Sequence, residues 1–320
     1  MAKLDEIGDP NAGQEQPAAK WPEKSRAMRW NMSASGQEDG ENKAPETPEK
    51  TETVQTAQNV QNDNPIKAAE DPASMVRSDK AKAILAPLDA VTDADILLDV
   101  SENSSMHIAG SVVIPYMEFD VEAGVLKPVP EISKILGDAG ISRNDSVVIY
   151  GECLPCGGGP SVATYVYWMM KSLGHENVKV LDGTAEDWEA VGRATTKNVE
   201  ILPGKVYTPA ETANYTATYE LVKSGQAQIV DARTLQEFGS GSIPGSMSIP
   251  YTGVLNGKRI KGEDRLNKAF MILDKDQPVA VFTNTGMKAS VVWFALKMMG
   301  YDARLYNYQD WVANQPPKGG

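Results

Sequence analysis

Histidine and cysteine are scarce in this chain: its 320 residues hold two of each. A structural zinc site takes about four such ligands. His107 and His175 stand far in sequence from Cys153 and Cys156, so no metal site is expected. Two cysteines three residues apart do not make the disulfide framework of a small secreted scaffold. Positive charge is short as well, with 31 Lys and Arg against 43 Asp and Glu and a net charge of −12. An acidic chain without a basic cluster is poorly suited to a nucleic-acid backbone or an anionic membrane surface. No apolar run approaches the ~20 residues of a membrane span, and the first residues lack the apolar core of a signal peptide. The expectation is a soluble, cytoplasmic protein with no cofactor.

What is present is unevenly spread. Residues 1–72 are rich in Glu, Gln, Asn, Ala, Pro, Ser and Lys and poor in aliphatics. Such a segment cannot bury enough apolar surface to offset its ordering entropy, and it reads as a low-complexity, disordered tail. Within it, Trp21 and Trp30 flank a basic stretch that offers a docking point for a protein partner.

From Asp71 onward the chain reads as globular and repeats itself. Ile96-Leu97-Leu98-Asp99-Val100 matches Gln228-Ile229-Val230-Asp231-Ala232. The segment His107-Ile108-Ala109-Gly110-Ser111-Val112-Val113-Ile114-Pro115-Tyr116 matches one that runs from Ser242 to Tyr251, and Val147-Val148-Ile149-Tyr150 matches Val279-Ala280-Val281-Phe282. Asp231 follows Asp99 by 132 residues, and Phe282 follows Tyr150 by 132. Gly300 follows Gly174 by only 126, so the first copy carries six extra residues between Tyr150 and Gly174. Two copies of this length indicate duplicated domains rather than a solenoid. Short apolar strands alternate with helical patterns at 78–88, 131–139 and 162–173, and again at 209–224, 264–273 and 289–299. Such alternation predicts, for each copy, an α/β fold with a mostly parallel sheet flanked by helices. The expected division is a tail at 1–72, domains at 73–192 and 205–320, and a linker at 193–204.

Both cysteines fall in Cys153-Leu154-Pro155-Cys156-Gly157-Gly158-Gly159-Pro160-Ser161, between an apolar strand at 146–150 and a helical run. In parallel sheets ligands gather at the carboxyl ends of strands, which is where this turn lies. A thiol on a glycine-rich loop at a helix N-terminus faces unpaired backbone N–H groups and the positive end of the helix dipole, which favours the reactive thiolate. The segment therefore reads as a cysteine nucleophile loop. It is also a Cys-x-x-Cys, a pair able to cycle through a disulfide.

Together these landmarks resemble the tandem-domain rhodanese-like sulfurtransferases, the thiosulfate and mercaptopyruvate sulfurtransferase family, over roughly residues 75–315. The strand-end Asp99, the His107–Tyr116 segment and the run from Leu173-Gly174 through Val178-Lys179-Val180-Leu181-Asp182-Gly183 to Trp188 carry the resemblance. It implies two rhodanese-like domains and a loop cysteine that accepts a sulfane sulfur as a persulfide and passes it to a thiophilic acceptor. Cys156-Gly157-Gly158-Gly159-Pro160-Ser161 is similar to the family's six-residue loop, which makes Cys156 the favoured nucleophile and Cys153 the alternative. Gly157, Gly158, Gly159 and Ser161 would bind the anionic sulfur, with Asp99 and His107 supporting the site. Partners would be a small sulfur donor (thiosulfate, mercaptopyruvate or a persulfide) and a thiol or protein acceptor.

The chain also departs from that pattern. Many two-domain members carry the cysteine in the second copy; here Thr283 stands in its place, so the second domain is expected to be catalytically silent. Asp-x-Arg survives as Asp231-Ala232-Arg233 but becomes Asp99-Val100-Ser101 in the first copy, and the loop itself has no Arg or Lys. Lys171, Lys179 and Arg193 are the candidates for positive charge near an anionic substrate. Two competing readings stay open: a thiol-disulfide oxidoreductase or persulfide reductase in which Cys153 resolves a persulfide on Cys156, and a non-catalytic sulfur carrier or scaffold.

Overall fold

The computed structural model describes residues 76–315. The tail expected at 1–72, with Trp21 and Trp30, lies outside the described residues.

The first domain contains α1 (Asp79–Lys82), β1 (Leu85–Ala86), β2 (Ile96–Asp99), β3 (His107–Ile108), β4 (Val112–Val113), the hairpin β5 (Asp120–Glu122) and β6 (Val125–Leu126), α2 (Val129–Asp138), β7 (Val147–Tyr150), α3 (Ser161–Ser172), β8 (Val178–Leu181), α4 (Ala185–Ala190) and β9 (Thr195–Thr196). Its main sheet is five-stranded in the order β1-β8-β7-β2-β4, with every pair parallel. The second domain contains α5 (Tyr219–Lys223), β10 (Gln228–Asp231), α6 (Leu235–Gly239), β11 (Met247–Ser248), the hairpin β12 (Leu255–Asn256) and β13 (Arg259–Ile260), α7 (Glu263–Ala269), β14 (Val279–Phe282), α8 (Met287–Met299), β15 (Ala303–Leu305) and α9 (Tyr308–Ala313). Its parallel sheet runs β11-β10-β14-β15. This is the duplicated α/β architecture that strand-helix alternation predicts.

The central strands β7 and β14 are buried along their whole length, as their unbroken apolar runs require of strands covered on both faces. α3 and α8 are apolar nearly all round and are buried nearly all round. They lie against each other, and one continuous hydrophobic core runs from one domain into the other through them. Tyr167 packs its ring at 5.0 Å, edge-on, against Phe294 and at 5.9 Å against Trp293. Smaller apolar clusters close the outer face of each sheet, with Trp188 and Trp311 packed there.

Two helical expectations are cut short. At 78–88 only Asp79–Lys82 is α-helical, capped by the Ser78 side chain. Leu85 and Ala86 instead pair with Val180 and Leu181, because β8 would otherwise leave an open edge. At 209–224 only Tyr219–Lys223 is helical. Thr212, Thr216 and Thr218 are weak helix formers, and the backbone ahead of them is drawn off: the Ala210 and Thr212 N–H groups donate to Leu173 and Ser172 carbonyls at the end of α3. The connection between domains is likewise strapped to the first domain, through β9 pairing with β3 and through the Lys205 N–H donating to the Gly137 carbonyl.

Candidate active site at the cysteine loop

The loop leaves the end of β7 and enters α3, as its sequence position demands. Val100, just beyond β2, donates its N–H to the Tyr150 carbonyl, and Glu102 donates to the Glu152 carbonyl, so the two chains run on side by side past the sheet edge. This extension sets Glu102 against Cys153. Cys153 and Cys156 are joined in a disulfide, with Cα atoms 5.2 Å apart. The two sulfurs differ in setting. Cys153 is 2 % exposed, whereas Cys156 is half-buried. Glu102 Oε2 stands 3.4 Å from Cys153 Sγ. The Tyr116 hydroxyl stands 3.2 Å from Cys156 Sγ and 3.9 Å from Cys153 Sγ. Burial, with the negative charges of Glu102 and Asp120 nearby, pushes the Tyr116 phenol above its ordinary range, which keeps it protonated and able to donate.

The amide cradle expected around Cys156 is not formed in this disulfide state. The Cys156 and Gly158 N–H groups donate to the Cys153 carbonyl, Gly157 to Leu154, and Ser161 to Gly158. Gly157, Gly158 and Gly159, all at positive φ, wind the loop into tight turns. Ser161, expected to reach a bound anion, is fully buried. Its hydroxyl has no hydrogen-bond partner among the described residues, and its carbonyl accepts from Thr164 Oγ1 at 3.0 Å.

Asp99 and His107 are bound to each other: His107 Nδ1 lies 2.7 Å from Asp99 Oδ2, and the Ser101 N–H donates to Asp99 Oδ1. In the second domain Asp231 binds Arg233 in the matching place, with the guanidinium set over the Phe282 and Tyr308 rings. The first copy thus meets its strand-end carboxylate with histidine where the second uses arginine. Thr283, at the position of a loop cysteine, accepts the Gly286 N–H on its hydroxyl.

Of the cations considered from sequence, Lys171 leans on Tyr215 and Arg193 on Trp188. The charge beside the loop comes instead from the second domain. A β-carbon added to Gly157 would meet Lys288 Cγ at 3.0 Å and Tyr251 Cε2 at 3.2 Å. Lys258 Nζ reaches Glu152 at 3.0 Å and Glu186 at 3.1 Å. Burial is the largest influence on the Glu152 carboxyl and pushes it up against the opposing pull of Lys258. These two glutamates, Lys258, Gly159 and Pro160 line part of a cavity of about 290 Å³ beside the loop. A second cavity, about 510 Å³, lies around Arg233, Glu237, Asn284 and Tyr308.

Sequence reasoning missed Glu102, Tyr251, Lys258 and Lys288. Tyr116 and Tyr251 did carry a signal, since each closes a matched Ile-Pro-Tyr of the repeat. No group of three or more His, Cys, Asp or Glu able to hold a metal occurs among the described residues, and no described helix is long and apolar enough to cross a membrane.

The family model of the rhodanese-like domain matches residues 77–191 and again residues 215–313. A putative thiosulfate sulfurtransferase of Mycobacterium leprae is 28% identical over 240 residues, covering 64% of this chain and 83% of that protein. The sulfur carrier protein TtuD of Thermus thermophilus is 26% identical over 239 residues, covering 65% of this chain and 81% of that protein. Among solved structures, the 3-mercaptopyruvate sulfurtransferase SseA of Escherichia coli superposes with a TM-score of 0.62 at 20% identity, over 70% of this chain and 98% of that one.

Proposed function

The chain belongs to the rhodanese-like domain family, and from that premise we propose that it is a sulfurtransferase whose Cys156 carries sulfane sulfur from a donor to a thiophilic acceptor. The observation that carries this reading is the setting of Cys156: a half-buried sulfur on a triple-glycine loop at the start of α3, with a phenol hydroxyl 3.2 Å away. Once the disulfide is reduced, the Cys156 thiolate attacks the outer sulfur of thiosulfate, sulfite leaves with the bonding pair, and Cys156 holds the persulfide. A mercaptopyruvate or persulfide donor delivers its sulfur in the same way. The three glycines give the loop freedom to turn its amides toward the new anion. The names of the relatives, putative thiosulfate sulfurtransferase and sulfur carrier protein, support sulfur transfer.

The Cys153–Cys156 disulfide favours a second reading, a persulfide reductase. In that case the sulfur leaves as sulfide, and a dithiol must reopen the site for each turnover.

One donor panel separates the readings. Reduced protein is treated with thiosulfate, mercaptopyruvate or glutathione persulfide and weighed intact. Sulfurtransfer predicts one added sulfur on the wild type and on C153S and none on C156S. Persulfide reduction predicts an adduct that persists only on C153S, while the wild type returns sulfide and the disulfide. An adduct that survives on C156S would overturn the assignment to Cys156.

A further inference from the structure

The two sulfurs have different protonic neighbours, a carboxylate at Cys153 and a phenol at Cys156. We propose that Glu102 is the base that takes the Cys153 proton when Cys153 attacks Cys156, and the acid that returns it when the disulfide is opened. The inference builds on the Cys156 persulfide reading and assigns the second cysteine its chemistry.

Several observations carry it. Glu102 is held at the sulfur by backbone, through its N–H to the Glu152 carbonyl. Its carboxylate has no ion-pair partner among the described residues, so its position is not explained by a neighbouring cation. A negative charge 3.4 Å from Cys153 Sγ disfavours a thiolate there. Cys153 in the reduced protein therefore rests as a thiol and needs a proton acceptor at the moment of attack. The protonated Tyr116 hydroxyl, donating to Cys156 Sγ, favours the thiolate at that position. Other ionisable groups around this corner are Asp120, through its effect on Tyr116, Lys288, over Tyr251, and the Lys258–Glu152 ion pair beside the loop.

The chemistry balances without an outside oxidant. With Cys156 as persulfide, Glu102 accepts the Cys153 proton and the Cys153 sulfur attacks Cys156 Sγ. The Sγ–S bond of the persulfide breaks, hydrosulfide leaves with its electron pair, and the observed disulfide is formed. The sulfane sulfur gains two electrons, one from each cysteine sulfur. In the reverse direction, a dithiol reductant attacks Cys156, the more exposed of the two. Cys153 leaves with the bonding pair and recovers its proton from Glu102. The second reductant thiol then frees Cys156.

The test isolates the closing step from sulfur transfer. Reduced protein is treated with glutathione disulfide to load glutathione on Cys156, and release of glutathione as Cys153 closes is followed by intact mass. In E102Q closure slows at least tenfold, in keeping with the ~10²–10⁴-fold worth of a positioned proton acceptor, and it accelerates with pH through the thiol range more steeply than in wild type. E102D, which keeps a carboxylate, recovers part of the rate. Closure of E102Q at the wild-type rate with an unchanged pH profile would overturn the role. If E102Q closes slowly yet no donor places sulfur on Cys156 of C153S, the base assignment stands and the sulfurtransferase reading fails. If sulfur loads normally and E102Q closes at full speed, the reverse holds.

Discussion

Thr164 Oγ1 and Ser290 Oγ lie 2.8 Å apart, fully buried between α3 and α8. Ser290 follows Thr164 by 126 residues, the same offset that relates Gly300 to Gly174, so the bonded hydroxyls are equivalent positions of the two copies. Thr164 also reaches the Ser161 carbonyl, and Ser290 reaches the Ser161 and Met287 carbonyls. Each hydroxyl has one proton, so one hydroxyl donates to the other and the other to a carbonyl. Removing one leaves its partner short of a bond, at a cost of about 1–3 kcal/mol. We expect T164V and S290A each to destabilise by that order. The double variant should cost less than the sum, with a coupling of at least about 0.5 kcal/mol in a denaturant double-mutant cycle. Strict additivity would show that the pair is not a functioning bond.

Arg77 also joins the domains. Its guanidinium is buried, bonded to both oxygens of Asp182 in the first domain and to the Ile260 and Lys261 carbonyls in the second. R77A leaves Asp182 nearly buried without its cation, a change that typically costs about 3–5 kcal/mol. A urea midpoint shift of that size is expected, and a shift below about 1 kcal/mol would remove Arg77 as an interdomain tie.

The sheets and the loop helix were legible from residues alone because Val147–Tyr150 and Val279–Phe282 are apolar without interruption and α3 is apolar apart from Ser161, Thr164, Lys171 and Ser172. Leu85 and Ala86 were not, since their strand pairing depends on an edge of β8 that lies almost a hundred residues away. The cysteines and glycines of the candidate site stand out in the sequence because their types are rare or conformationally special. Glu102 was not: one acidic residue after a strand is ordinary, and only the side-by-side run of the chains beyond β2 and β7 places it at a sulfur. The second-domain residues Tyr251, Lys258 and Lys288 reach the loop through packing that no local pattern encodes.

Asp120 gives a pH signature close to the site. Burial pushes its carboxyl up to about 6, against the opposing hydrogen bonds from the Gly124 N–H and the Tyr165 hydroxyl. An unfolded aspartate titrates near 3.9. Between those values the folded state holds a proton that the unfolded chain has lost, so this group's contribution to stability falls as pH rises from about 4 to about 6 and is level above that. Carboxyl carbon NMR should place the Asp120 midpoint near 6. D120N should remove this slope from the pH dependence of unfolding. A midpoint near 4 would mean that the carboxylate is solvated and the slope absent.

Gly157 and Gly158 both lie at positive φ, +116° and +66°, but their surroundings differ. Around Gly158 nothing among the described residues stands within 4 Å of where a β-carbon would go, whereas at Gly157 that carbon would press on Lys288 and the Tyr251 ring. Alanine in left-handed backbone costs about 1–2 kcal/mol from sterics alone, so G158A should lose about that much. G157A should lose more in the oxidised protein, because its methyl must also displace a ring and a lysine stem of the second domain. The comparison is made by urea unfolding of both variants with the disulfide intact, against C153S backgrounds in which the loop is free to move. Equal losses in all backgrounds would show that the loop does not rest on the second domain. A loss for G157A that shrinks once the disulfide is absent would tie the packing of Tyr251 and Lys288 to the closed, sulfur-free state of Cys156.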